Sequence, residues 1–419
     1  MCSLFLKYFF KQKKNIFFFI FILILAFLIS YSMRIENNKN KITLILEKEK
    51  IIGVLKKDIN NIDKNLENND ISEEEKDEYK VLKEKDIKLI ENNKNQIYNI
   101  KNSNWQKLYE TELKRFENKK DRNLTISSNN DVEYNINPIT LDITYETLNY
   151  LKENNIYSAH PLNLQKTEFD QPRNSKENEI LDKYSKKNLI GTSHRLWDFF
   201  TNNIVLIYTF MIVVTFGILF SKLEDVQNKT IRFLKASGAS KFKIVSSGLF
   251  IGGILTILLG LLILTIFFVI EFLINGMSSF KYPITTYIVK NNYFSLMSFG
   301  YKIVPISDVL MKSLILFLLY GLFVFLFTSM ISIFIKSTIK SVILSFGLMI
   351  TLQMFNKCYN PFSYWRVGKI ADGSINFLFK TVSYSFDKSY KVLLIAICIL
   401  IIFLICISLI EDVRRRRYA

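Results

Sequence analysis

The residues best placed to do chemistry form a charged stretch between two apolar blocks. Residues 221–244 carry Lys222, Glu224, Asp225, Lys229, Arg232, Lys235, Lys241 and Lys243, with Ile231, Phe233 and Leu234 among them. Basic residues beside an apolar edge, held between membrane-crossing runs, suit docking of a soluble partner. Glu271 stands near the end of the second apolar block. Ionisable groups inside membrane segments are costly and often functional, so it is a candidate intramembrane group; the alternative is a carboxylate that reaches the headgroups. His160 and His194 are the only histidines, far apart and without nearby cysteines. A zinc site needs three or four ligands, so two ordinary surface histidines and no metal are expected. No Gly-x-x-x-x-Gly-Lys-Ser/Thr phosphate loop is present, so the chain is not expected to hydrolyse ATP itself. The His-Glu-x-x-His and Gly-x-Ser-x-Gly signatures of membrane proteases and esterases are also missing. The apolar runs lack the ladder of Asp, Glu and His that proton-coupled pumps use. No cofactor is expected, and transport powered by a partner is the economical reading.

The elements that carry these residues follow from where the apolar residues fall. They make up 49% of 419 positions and cluster in blocks instead of recurring at core spacing. About 20 apolar residues suffice to cross a bilayer as a helix. Ile16–Ser30, Leu206–Phe220, Ser246–Ile274, Leu310–Ile335, Val342–Phe355 and Val392–Ile410 are therefore expected to span, the fifth being short. Lys7, Lys11, Lys13 and Lys14 precede the first run and Arg414–Arg417 follow the last, and lysines mark 222–243 and 336–340. The positive-inside bias then puts both termini in the cytoplasm and residues 35–198 outside. Lys281, Lys290, Lys302, Lys357, Arg366 and Lys369 fall on predicted outside segments and run against that bias. The net charge of +17 is explained by these flanks and not by nucleic-acid binding. No small-x-small cleavage site follows the first run, so it is expected to remain as a span. Four cysteines make no disulfide framework; Cys398 and Cys406 lie in the last run. Asn- and Lys-rich, Gly-poor usage suggests a bacterial source with an AT-rich genome.

Three regions result: 1–34 with the first span, an external 35–198, and 199–419 with five spans and a cytoplasmic loop at 221–245. Within the external region, Ile45, Ile52, Leu55, Ile59, Ile62 and Leu66 form a heptad seam. Ser72 and Glu75 form a capping box. A second helix is expected to run to about Asn118, with Tyr79, Leu82, Ile90, Ile97, Trp105, Leu108 and Phe116 as its apolar positions. Two helices joined by a short break form an antiparallel hairpin, a docking element or a packing unit. Residues 121–137 are expected to be loop and 139–155 a short helix. Trp197, just before the second span, is expected to anchor at the interface. Gly252, Gly253 and Gly260 on the third span would let another helix approach closely.

Glu224-Asp225-x-x-x-Lys229-Thr230-Ile231-Arg232-Phe233-Leu234 resembles the Glu-x-x-x-Gly-Thr-x-x-x-Leu stretch of type-2 ABC exporter permeases. The external insert after the first span, the six-span layout and Tyr359-Asn-Pro-Phe-Ser-Tyr364 are similar to that family as well. The Pro-Ile-Ser-Arg-like turn of that family is replaced here by Ala236-Ser-Gly-Ala-Ser240. Leu234-Lys-Ala-Ser-Gly-Ala-Ser-Lys-Phe-Lys-Ile244, with Gly238, Gly252 and Gly253, resembles the loop of FtsX-like and macrolide-exporter permeases, whose units have four spans. The count of six favours type 2.

The resemblance implies an all-α membrane protein with an amphipathic coupling helix on a separate ABC ATPase. Glu224, Thr230, Ile231, Arg232, Phe233, Leu234 and Gly238 would make the ATPase contact. Two permeases, identical or different, would sit in a bacterial cytoplasmic membrane and export a peptide, lipid or antibiotic-like substrate. A second expectation is FtsX-like: a non-transporting transmitter that drives an external partner.

Overall fold

The computed structural model describes residues 13–67, 72–117, 125–127, 133–157, 164–185, 191–201, 204–224, 240–335 and 337–417. The chain divides into two compact units: residues up to Ser30 with Gly191–Phe280 and Ile284 onward, and Tyr31–Ile190 with Lys281–Pro283.

The first unit is built on long apolar helices. Its elements are the start of α1 (Lys13–Leu66), then α6 (Thr192–Thr201), α7 (Ile204–Glu224), α8 (Lys241–Asn275), α9 (Ile306–Phe334), α10 (Thr338–Gln353), the short α11 (Val367–Ala371) and α12 (Ile375–Leu378), and α13 (Phe386–Arg417). Strands β3 (Pro283–Val289) and β4 (Phe299–Pro305) form a two-stranded sheet between α8 and α9. An all-α fold was expected here, and the sheet corrects it. Neither strand has a clean polar–apolar alternation to announce it.

Four helices, beginning at Ile20, Lys241, Ile306 and Phe386, are long and apolar enough to cross a membrane; α6 and α7 add a fifth if their bent pair is one span. The two are bent by 61°, so the second expected span is not one straight helix: α6 precedes it and α7 begins at Ile204. Helix α10 has 16 residues. At about 1.5 Å per residue it rises roughly 24 Å, short of the roughly 30 Å hydrocarbon layer. The fifth apolar segment therefore exists as a helix but does not reach the length of a span.

Helix α9 is the hub. Two thirds of its apolar window (67%) is buried, against 33% for α8 and 22% for α13. It packs on α6, α7, α8, α10 and α13. Membrane helices gain little from hydrophobic association, so close packing has to hold them. Here aromatic rings supply it. Phe317, fully buried, meets Phe199, Phe200 and Tyr208 at centroid distances of 5.7, 5.6 and 4.4 Å. Phe325 meets Phe216 at 4.9 Å, and Phe362 sits between Phe323 and Phe327. On α8 the outward residues Phe250, Ile254 and Leu258 repeat every four positions and are exposed, as a lipid-facing stripe would be.

The second unit holds the rest of α1 with α2 (Glu73–Lys101), α3 (Trp105–Glu117), α4 (Pro138–Glu153) and α5 (Ser175–Tyr184). Strands β1 (Thr125–Ser127) and β2 (Glu133–Asn135) pair antiparallel with Ile126 opposite Tyr134. The heptad seam of α1 meets α2: Ile52, Ile90 and Ile97 share one core with Ile45, Leu55 and Ile59. Asp63 and Lys83 bridge the two helices. The capping box forms, Ser72 Oγ accepting from the Glu75 amide while Glu75 accepts from that of Ser72. Leu82, expected inside, is exposed; Tyr79, Lys83 and Asp86 carry the half-buried face before Ile90.

The second helix does not continue to Asn118. It stops at Asn102, where Ser103 takes φ 54°, and resumes at Trp105. Asn and Ser favour such breaks because their side chains compete for backbone groups. The expected loop at 121–137 carries β1 and β2, whose Ile126 and Tyr134 enter a core with Ile136, Leu141, Leu164, Ile180 and Leu181. Asn137 caps α4 at the Ile139 amide, with Pro138 in the first turn.

Candidate functional site

The charged stretch lies between α7, whose last residue is Glu224, and α8, which begins at Lys241. Thr230, Ile231, Arg232, Phe233, Leu234 and Gly238 lie outside the described residues. What is described is how the stretch ends. Ser240 caps α8 by accepting from the Lys243 amide at 3.2 Å. The two preceding amides are met from the far end of the chain. Asp412 on α13 accepts from the Lys241 amide through Oδ1 at 2.7 Å and from the Phe242 amide through Oδ2 at 2.9 Å. Lys241 Nζ, buried, pairs with Glu411. The α8 start, expected at Ser246, thus lies five residues earlier, inside the charged stretch.

The three glycines of α8 differ in what they face. A Cβ built on Gly252 would lie 2.5 Å from Phe325 Cε2, whereas one on Gly253 would lie 3.7 Å from Leu322 Cδ2. A Cβ on Gly260 would lie 2.9 Å from the Tyr208 hydroxyl. That hydroxyl donates to the Thr256 carbonyl at 2.8 Å and also sits over Gly321 of α9, a close approach the sequence did not suggest.

Glu271 is buried, 3% exposed, and accepts from Asn275 Nδ2 at 2.6 Å. The same nitrogen lies 3.2 Å from the Ser30 carbonyl, tying the end of α8 to the first apolar helix. The side chain is therefore enclosed by protein. Two further expectations are corrected. His194 is no surface residue: it is 1% exposed on α6, beside Ser193, whose amide and hydroxyl bond Ser278. His160 lies outside the described residues. Trp197 is buried within the bundle and not spread at an interface, because α6 turns that face inward along with Phe199 and Phe200. Among the described residues no three His, Cys, Asp or Glu side chains are grouped to hold a metal ion.

The Asn-Pro-Phe-Ser-Tyr stretch makes a corner. Asn360 Nδ2 donates to the Leu352 and Phe355 carbonyls at the end of α10, and its Oδ1 accepts from Phe362 to start a short 3₁₀ turn. Ser363 and Tyr364 are buried beneath it.

No curated protein and no solved structure matches the chain. A family model described as ABC-2 family transporter protein matches residues 16–356. The match runs through the helices of the second unit and stops short of the Asn-Pro-Phe-Ser-Tyr corner and α13. It agrees with the type-2 resemblance and does not favour the FtsX-like one. Members of this family are non-enzymatic membrane subunits that associate with an ABC ATPase. With its apolar helices and a match over most of its length, the chain belongs to the ABC-2 family and is a multi-pass membrane subunit of an ABC transporter.

Proposed function

We propose that the chain is an export permease that moves a peptide, lipid or antibiotic-like substrate across the bacterial cytoplasmic membrane. ATP is hydrolysed by a separate ATPase subunit, and two permeases, identical or different, form the pathway. Residues 224–238 dock on the ATPase, with Ile231, Phe233 and Leu234 as the apolar contacts and Glu224, Thr230, Arg232 and Gly238 shaping the segment. Both termini and this segment face the cytoplasm, and residues 35–198 face outside. Gly252, Gly253 and Gly260 serve helix packing, and Glu271 serves the transport pathway near its outer end. The family match over residues 16–356 is the observation that carries this reading. A charged stretch set between two apolar helices supports it.

The test is purification of the intact chain from its native membrane in mild detergent, followed by mass spectrometry and ATP hydrolysis. An ATPase with a phosphate-loop motif is expected in stoichiometric amount. Replacing Ile231, Phe233 and Leu234 together by Asp is expected to abolish permease-dependent hydrolysis. Absence of any ATPase under conditions that preserve other membrane complexes, or undiminished coupling in the triple variant, overturns the reading.

A further inference from the structure

The start of α8 is capped in an unusual way. The first amides of a helix have no intrahelical acceptor and are ordinarily met by a nearby side chain. Ser240 does this for Lys243, but Lys241 and Phe242 depend on Asp412, 171 positions away from Lys241. Both carboxylate oxygens are used, one per amide, and a negative charge at a helix N-terminus is favoured by the aligned peptide dipoles. The neighbouring Glu411 takes a different task. Lys241 is only 4% exposed, and a buried ammonium is costly unless paired; Glu411 pairs it. Two consecutive acids of α13 thus hold the backbone and the side chain of one residue, the first of α8.

We infer that Asp412 and Glu411, with Lys241, are positioning residues for coupling, an inference that rests on the function proposed above. The 225–239 segment leads into a helix start whose first two amides are held by α13. Force applied to that segment reaches α8 and α13 together, so the two helices move as one at this end. Breaking the joint leaves the ATPase docked and uncouples its cycle from the bundle.

The experiment uses the full chain with its co-purified ATPase in proteoliposomes. Readouts are the ATPase-to-permease ratio and the hydrolysis rate attributable to the permease. Asp412→Asn removes the charge and puts a donor against a donor. It is expected to keep the ratio while lowering permease-dependent hydrolysis by about fivefold, the factor that loss of one helix cap represents. Lys241→Glu and Glu411→Lys should each show the same loss, and the exchanged pair Lys241→Glu/Glu411→Lys should recover most of it. Rescue shows that the pair carries the effect, and a kept ratio with lost hydrolysis separates coupling from a merely structural role. Wild-type coupling in Asp412→Asn, or an exchanged pair no better than either single variant, overturns the inference and leaves the proposed function standing. If the Asp412→Asn chain does not accumulate in the membrane, the exchanged pair decides alone. If the wild-type chain brings no ATPase, the proposed function itself fails, and this inference with it.

Discussion

Alanine at Gly252 and alanine at Gly253 should have opposite effects on stability, although the two positions are adjacent on one helix. Each substitution gains helix propensity, up to about 1 kcal/mol, and that contribution is common to both. The difference lies in what the new methyl meets. At Gly252 it would stand 2.5 Å from Phe325 Cε2, well inside contact distance. Phe325 has little room to move, being fully buried with the Phe216 ring centroid 4.9 Å away. Overpacking of this kind costs about 1–3 kcal/mol. At Gly253 the methyl meets Leu322 Cδ2 at 3.7 Å, an ordinary contact. Gly252→Ala should therefore be destabilised relative to Gly253→Ala by about 1–3 kcal/mol. Equilibrium unfolding of the purified chain in mixed micelles would measure both. Adding Phe325→Leu makes the cause explicit: it should cost stability in the native background and recover part of the loss in Gly252→Ala, a coupling of about 1–2 kcal/mol. If the two alanine variants agree within about 0.5 kcal/mol, or the double variant is simply additive, close approach of α8 and α9 does not depend on Gly252.

Two further outcomes concern the second unit. Asp170 is buried and accepts from the Thr167 amide, the Thr140 and Thr167 hydroxyls and the Asn137 amide, yet burial outweighs these bonds and holds its carboxyl above the ordinary range. The folded chain keeps this proton to higher pH than the unfolded one. Its stabilising effect is therefore full below about pH 4 and is lost as pH rises through the folded value. Hydrogen exchange of α4 in the intact chain should show protection falling over that range in the native protein and a flattened dependence in Asp170→Asn; an identical slope in both would refute the assignment. Ser72→Ala removes the capping box and should loosen the first turn of α2 by about 1 kcal/mol, seen as faster exchange at residues 73–77, with no change at Ile97 if the seam holds independently.

The features legible in the sequence are those whose signal is local or periodic. The α1 seam shows because a heptad repeat fixes which face is buried, and Ser72 and Glu75 show because a cap is made three residues away. The apolar blocks located the membrane helices but not all their ends: α6 bends away from α7, and α10 stops short of a full span. Strands β1 and β2 have three residues each, too few to display alternation. The burial of His194 and Trp197 depends on which way a short helix turns against the bundle, which composition does not encode. The Asp412 cap was illegible for another reason. It joins residues at opposite ends of the membrane region, and nothing in Glu411-Asp412, followed by Arg414–Arg417, distinguishes it from a charged helix end.

The serines of α9 bear on how the protein is made. Ser313 donates to the Val309 carbonyl, Ser329 to Phe325 and Ser332 to Thr328, each within its own helix. A hydroxyl satisfied in this way needs no neighbour, and in lipid an unsatisfied one would be costly. These three serines of the helix most enclosed by others in the finished bundle thus carry no unmet donor into the bilayer during synthesis, while α10 and α13 are still to emerge from the ribosome. Assembly around it can then proceed by side-to-side association of helices already inserted, with the Ser332–Ser341 bond to α10 formed only on arrival of that partner.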